Sequence, residues 1–282
     1  MIDGTDLISL ETDVRDLIGE ETARLWTQAR VFRAINSEVM RLARKVIDLD
    51  SGYFETSTTL TPSASMDLPV NCYLIRNLEA QISGAWYGLR WIEDNQKGQY
   101  QQYGTSSTTA PVAVRFVDSA LVLEGSYSGC SSVRIQYARL PAEMRYETLS
   151  SGSATTAVMS SGSAIDDVYV GDRFIVLSGT GEGQISTVTD YVASTKTLTI
   201  ASGATLDSTT VISWLLPEPL SKWPDLVVTG AAIRLLSRRR DMELIESLMQ
   251  QYLMDVSDMT AALGQRQTDQ ALRVNYIPDG LE

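Results

Sequence analysis

The stretch TQARVFRAINSEVMRLARKVI, residues 27–47, decides the helical part of the fold. Its apolar side chains recur every three or four residues, which is the period of one face of an α-helix, and arginines occupy the other side. The apolar positions are Val31, Ile35, Val39, Leu42 and Val46, and the arginines lie at positions 30, 33, 41 and 44. With Thr27 as the expected N-cap, this stretch predicts an amphipathic helix.

Three further helices are predicted outward from this one. Residues 5–18 carry Leu7, Leu10, Val14 and Leu17 at the same spacing, before a glycine that suits a helix end. Towards the other terminus, residues 223–240 and 241–263 repeat the helical period. Because each helix pair is too short to bury its apolar face alone, we expect both pairs to pack into one bundle.

The residues between the two helix pairs have the sequence pattern of β-strands. Within 51–141, apolar and polar residues alternate in several short segments, as in Val133, Ile135 and Tyr137. A run rich in Ser, Gly, Ala and Thr, residues 148–165, leads into a second set of strands. These are predicted at 172–179, 183–192, 196–201 and 209–216. Their regular spacing favours a small closed or sandwich-like β module.

The predicted fold class is therefore α+β, a helical bundle formed by the N- and C-terminal helix pairs, with two inserted antiparallel β regions and an extended C-terminal arm. The polar run 94–111 is expected to form a long exposed loop in the first β region. The predicted segments are the N-terminal helices at 1–50, the first β region at 51–147, the second at 148–216, the C-terminal helices at 217–264 and the arm at 265–282.

The charge and composition exclude several functional classes. The chain has 35 acidic and 23 basic residues, a formal charge of -12, which argues against general nucleic-acid binding. It has no histidine, which excludes the usual catalytic triads and every zinc site that uses histidine. Its two cysteines, Cys72 and Cys130, are too sparse for a disulfide framework or a metal cluster and predict reduced thiols.

The most enzyme-like motif is the glycine-rich stretch SGTGEGQ at 178–184. A phosphate-binding loop must lead into a helix, whereas the residues after this stretch alternate as a strand, so the glycines indicate a β-hairpin turn. Adjacent carboxylates at 20–21, 93–94 and 166–167 lack the spacing of a calcium loop. The chain is predicted not to be an enzyme and to use no metal or cofactor, with a nucleotide-dependent enzyme built on Gly179, Gly181 and Gly183 as one alternative.

Two clusters could bind a partner. Arg234, Arg238, Arg239 and Arg240 form the densest basic group, which suits either the C-terminal end of a helix or a contact with an acidic partner or with DNA phosphates. An aromatic set could pack in a core or line a sugar or peptide site. Its members are Trp86, Tyr87, Trp91, Tyr100 and Tyr103.

The order of these features resembles the head–tail adaptor, or connector, proteins of tailed bacteriophages. The resemblance is carried by residues 14–46, 68–100 with its Gly-x-Trp-Tyr-x-Leu motif, 132–144, 170–200 and 226–241. These stretches occur in this order between residues 14 and 241. The large β insertion at about 151–216 departs from shorter members of the family.

The resemblance implies a structural virion protein at the head–tail interface, made in the host cytoplasm. It would form a homo-oligomeric ring, usually a dodecamer, that docks on the portal protein, extends the DNA channel and offers a platform to tail or neck completion proteins. DNA would pass through the lumen without sequence-specific binding. The expected partner contacts are the four arginines above and the arm residues Leu272, Val274, Tyr276 and Ile277. The alternative is a tail-associated receptor- or glycan-binding module that uses the aromatic set.

Overall fold

A computed structural model describes residues 5–20, 25–49, 51–93, 111–117, 120–125, 128–201, 205–239 and 242–270. The side chains of residues 111, 112, 125, 239 and 265–270 are outside this description. The chain divides into two compact units. We call them the helix–barrel unit, Met1–Tyr53, Pro141–Ala164 and Tyr169–Glu282, and the two-sheet unit, Phe54–Leu140 and Ile165–Val168.

The helix–barrel unit contains the helices predicted from the apolar period. They are α1 (Leu7–Leu17), α2 (Gln28–Asp48), α3 (Pro224–Arg239) and α4 (Met242–Gln270). The apolar face of α2 is buried as its sequence requires, and α3 packs against the other three helices. Residues 265–270, expected to begin the arm, continue α4 as helix, while the arm residues 271–282 lie outside the described residues.

The same unit contains a closed barrel of six strands, one of the two arrangements expected for 148–216. The strands are β9 (Tyr146–Gly152), β10 (Thr156–Met159), β11 (Arg173–Ser178), β12 (Ile185–Val192), β13 (Thr197–Ile200) and β14 (Val211–Trp214). They close in the order β10-β13-β12-β11-β14-β9. Buried aromatic rings form part of its core: Tyr169 packs edge-on against Tyr191 at 4.8 Å and against Trp214 at 5.6 Å between ring centroids.

The described part of the two-sheet unit contains eight strands. They are β1 (Glu55–Leu60), β2 (Met66–Asp67), β3 (Cys72–Ile82), β4 (Ala85–Gly88), β5 (Arg90–Trp91), β6 (Pro111–Val117), β7 (Ala120–Gly125) and β8 (Cys130–Arg139). One sheet has the order β1-β8-β3-β4 and the other β2-β7-β6-β5. The alternating residues Val133, Ile135 and Tyr137 of β8 join Leu121 and Val114 of the second sheet in one buried cluster. The predicted long loop at 94–111 lies outside the described residues up to residue 110.

The predicted helical bundle with two inserted β regions is wrong. The described residues form four α-helices and fourteen strands, arranged in three sheets that include the barrel. The prediction failed because it assumed that the helices bury their apolar faces only against one another. In the structure, the barrel belongs to the same compact unit as the helices, and α1 is bonded directly to strand β14. Within the described residues, no helix is long and apolar enough to span a membrane.

Asp6 makes the bond between α1 and the barrel. Its Oδ1 accepts the backbone N–H of Ile8 at 2.8 Å, as an N-cap does, and also accepts the Ser213 hydroxyl of β14 at 3.0 Å. The Asp6 backbone bridges to Leu215, and the Leu216 N–H donates to the Thr5 carbonyl at 2.9 Å. One carboxylate therefore both starts α1 and fixes it to the barrel.

We expect Asp6→Ala to lower the free energy of unfolding by about 2 kcal/mol, because it removes a helix cap and leaves the buried Ser213 hydroxyl without its acceptor. Asp16→Ala removes an exposed carboxylate from the same helix and serves as the matched control, with an expected change of at most about 0.5 kcal/mol. Urea unfolding of both variants measures the difference. Equal stabilities would contradict the role of Asp6.

Candidate functional site

The exposed side of α2 forms one wall of a groove in the helix–barrel unit. The groove has a volume of about 710 Å³ and is also lined by residues 143–147 and by Arg234 of α3. We call it the arginine groove, because five arginines line it: Arg33, Arg41, Arg44, Arg145 and Arg234. A smaller cavity of about 70 Å³ shares Arg33 and Arg234 with the groove and adds Arg30 and Arg238.

The sequence of α2 explains why its arginines meet on one side. Residues 30, 33, 41 and 44 fall within about 80° of one another around a helix of 3.6 residues per turn. The two cavities together are lined by seven of the chain's 23 basic residues. Since the whole chain carries a formal charge of -12, this surface is a positive patch on an otherwise strongly acidic protein.

Beneath the groove lies Glu38, a buried carboxylate on α2. Its Oε1 accepts the Tyr252 hydroxyl of α4 at 2.7 Å and the Arg41 Nη2 at 2.7 Å. Arg234 of α3 approaches the second oxygen, Oε2, at 4.0 Å. Burial, together with the adjacent Glu38 carboxylate, raises the pKa of the Tyr252 hydroxyl, so this hydroxyl remains a donor. Glu38 therefore joins three helices and orients two of the groove's arginines.

Close approach of α3 to Glu38 requires a glycine. A Cβ at Gly230 would lie 2.4 Å from the Glu38 Cδ and 2.5 Å from its Oε1, both much closer than van der Waals contact. A glycine inside a helix costs roughly 1 kcal/mol relative to alanine, so its presence here follows from packing rather than from helix propensity. Gly230 lets α3 pack over a carboxylate that three side chains hold in place.

Asn36 fixes the opposite wall of the groove. Its side-chain amide donates to the Met144 carbonyl at 3.1 Å and accepts the Met144 N–H at 2.8 Å, which ties α2 to the segment that enters β9. The next residue, Arg145, lies over the Tyr169 ring at 5.6 Å and donates to the Ser161 carbonyl. These contacts hold the Arg145 guanidinium against the barrel at the edge of the groove.

The structure brings together only part of the predicted arginine cluster. Arg234 lines the arginine groove and Arg238 lines the adjoining cavity. The Arg239 side chain and the whole of Arg240 lie outside the described residues, as do Leu272, Val274, Tyr276 and Ile277. The sequence reasoning missed the α2 arginines and Arg145 as members of this surface. The spacing of the α2 arginines on one helix face could have predicted that they share a surface. Nothing in the sequence around Arg145 indicated that it belongs to the same surface.

The aromatic set does not form a single pocket among the described residues. Trp86 lies on β4, where the Arg134 guanidinium covers its ring at 4.4 Å. Trp91 lies on β5 of the other sheet and stacks on Phe116 at 6.5 Å between ring centroids. An apolar cleft of about 480 Å³ is lined by Trp91 and Phe116, but Trp86 is not among its lining residues. Tyr100 and Tyr103 lie outside the described residues.

The other residues considered for chemistry have structural roles or no shared site. The glycine-rich stretch connects β11 to β12, with positive φ at Gly179, Gly181 and Gly183, so it is a hairpin turn and no helix follows it. The Cys72 thiol lines the apolar cleft, where burial raises its pKa to about 11. Within the described part of the chain, no three acidic, cysteine or histidine side chains are grouped so that they could hold a metal ion.

The chain matches no family model and shows no significant similarity to a curated protein sequence.

We expect opposite effects from two glycine-to-alanine changes in neighbouring helices. Gly230→Ala places a methyl group against the fixed Glu38 carboxylate, and we expect it to lower the free energy of unfolding by about 1–3 kcal/mol. Gly264→Ala in α4 is the control, because a Cβ there meets nothing within 4 Å. It is expected to raise stability by about 0.5–1 kcal/mol through helix propensity.

Denaturant unfolding of the two variants and the unchanged chain gives both differences. If Gly230→Ala proved as stabilising as Gly264→Ala, the close packing of α3 on Glu38 would be wrong.

Proposed function

We propose that this chain is a structural head–tail adaptor of a tailed phage, which forms a ring under the portal, extends the DNA channel and provides the docking platform for tail components. The observation that carries the proposal is the arginine groove, a preformed positive surface on an acidic chain. The motif order described above supplies the family resemblance, and the groove supplies a docking surface that such a role needs.

The groove is suited to docking because its arginines are held before any partner arrives. Arg41 is bonded to the buried Glu38, and Arg145 is bonded to the Ser161 carbonyl. Ordering a free arginine side chain on binding costs about 0.5–1.5 kcal/mol, so arginines that are already ordered reduce the cost of association. A groove of this kind favours a specific and lasting protein contact.

The overall charge also suits a protein that surrounds DNA without holding it. A formal charge of -12 repels DNA phosphates, so a channel wall with this average charge would allow DNA to pass. Concentrating positive charge in one groove leaves the rest of the surface more acidic than the average. The proposal assigns the groove to protein partners and the acidic remainder to the lumen and exterior.

The test is electron microscopy of the purified protein mixed with its portal partner or with phage particles that lack it. We expect symmetric rings seated at the portal vertex, and we expect a chain that ends after Gln270 to fold but fail to dock. A protein that never joins the portal would overturn the adaptor role. Particles without this protein that retain DNA and join tails normally would also overturn it.

A further inference from the structure

We infer that the arginine groove binds an acidic polypeptide segment that also carries apolar side chains, rather than nucleic acid. The inference rests on the proposed function for the source of that segment, a neighbouring virion protein. The chemistry of the bound segment, however, follows from the lining of the groove and is testable with the isolated chain.

The positive groups of the groove share one chemistry. All the basic residues that line the groove are arginines, and a guanidinium presents paired N–H donors that match two oxygens of a carboxylate or of a phosphate. The arginines therefore define an anion site, and the other lining residues decide which anion fits it. Arg33 and Arg44 are exposed on the α2 wall, while Arg41 and Arg145 are held in place from below and from the barrel. The groove thus offers fixed directions for several carboxylates rather than a diffuse positive field.

Apolar side chains form part of the groove lining. Phe32 and Met40 of α2 are half-buried and lie among the arginines, and Met144 is buried beside them. A polypeptide can place apolar side chains against these groups and gains about 25 cal/mol for each Å² of apolar surface removed from water. The backbone of duplex DNA presents phosphates and sugars, which would leave this apolar surface without a matching group.

Carboxylates also lie in and beneath the groove. Glu143 and Glu147 line it, and Glu38 lies beneath, so five arginines face three glutamates. Duplex DNA carries one negative charge per roughly 1.7 Å of its axis and would bring phosphates against these glutamates. A polypeptide has backbone N–H groups and neutral side chains that can lie opposite them, so it avoids the repulsion.

Solvent ions limit the range of the groove's electrostatic field. At physiological ionic strength charges are screened over about 8 Å, so a short segment inside the groove experiences mainly the local arginines. A long polyanion would extend beyond the groove and meet a protein whose total charge is -12. The charge distribution therefore favours a short acidic segment.

The experiment measures fluorescence anisotropy of labelled probes with the full chain. The probes are a twelve-residue peptide of alternating Glu and Leu, the same peptide with Gln in place of every Glu, and a duplex DNA of about 20 base pairs. We expect the acidic peptide to bind and the Gln peptide to bind at least about tenfold more weakly, a difference of 1.4 kcal/mol or more. DNA is expected to bind more weakly than the acidic peptide.

Matched variants assign the binding to the groove. Arg33→Gln with Arg44→Gln is expected to weaken binding of the acidic peptide by about tenfold or more, because two charge-assisted hydrogen bonds are lost. Arg90→Gln with Lys222→Gln removes the same charge from residues that do not line the groove, and is expected to leave binding unchanged. Ser37→Trp fills the groove between Arg33 and Arg41 without changing its charge and is expected to weaken binding as well.

Three results would overturn the inference. The first is that the acidic peptide does not bind. The second is that DNA binds more tightly than the peptide and that this DNA binding disappears in the Arg33→Gln, Arg44→Gln variant. The third is that the groove variant and the control variant lose the same amount of peptide affinity. The outcome is separable from that of the adaptor role. If the peptide binds but no rings form at the portal, only the adaptor role is contradicted. If rings form but the peptide does not bind, only the inference about the groove is contradicted.

Discussion

The helical part of this protein depends on one buried charge, the carboxylate of Glu38. A carboxylate removed from water is strongly destabilising unless its oxygens are paired and hydrogen-bonded. Here the partners come from three helices, with Arg41 on α2, Arg234 and the close approach at Gly230 on α3, and Tyr252 on α4. The need to satisfy this carboxylate fixes how far each helix can slide or rotate against the others.

The same constraint shapes the surface above it. Because Glu38 holds Arg41 and attracts Arg234, two arginines of the groove are positioned from beneath, while Asn36 and the barrel position the opposite wall. Arg33, Arg41 and Arg44 are exposed and present their guanidinium groups at the surface. The buried carboxylate of Glu38 thus orders arginine side chains at the surface above it. An ordered positive surface of this kind is suited to docking.

The sequence predicted the local elements well where one physical signal dominates. The period of α2 gave its span and also its arginine face, because both follow from 3.6 residues per turn. The alternation in β8 likewise marked its buried face. Strands β9 and β10 were missed within the Ser- and Gly-rich run 148–165. β9 has a single buried residue, Leu149, and β10 is only four residues long, with Val158 as apolar as its buried neighbours Ala157 and Met159, so neither shows an alternation in its sequence.

The arrangement of these elements was beyond the sequence signals, because it depends on long-range contacts. Asn36 meets Met144 from 108 positions away, and Asp6 meets Ser213 from 207 positions away. Local sequence patterns do not predict such pairs, and the closure of the barrel also depends on contacts between strands that are distant in sequence. Two local irregularities did mark the site. Glu38 is an acidic residue on the apolar side of α2, and Gly230 is a glycine in the interior of α3. Each residue departs from the pattern of its own helix at the point where the two helices touch.

At the centre of the proposed function is a contact between the arginine groove and a protein partner in the assembled particle. The most direct measurement places the photoreactive amino acid p-benzoylphenylalanine at Ala29, an exposed residue that lines the groove, and identifies its cross-links in intact particles by mass spectrometry. Thr12, exposed on α1, serves as the control position. The account predicts a cross-link from position 29 to an acidic segment of another protein chain. Cross-links to DNA, or none at position 29, would contradict it.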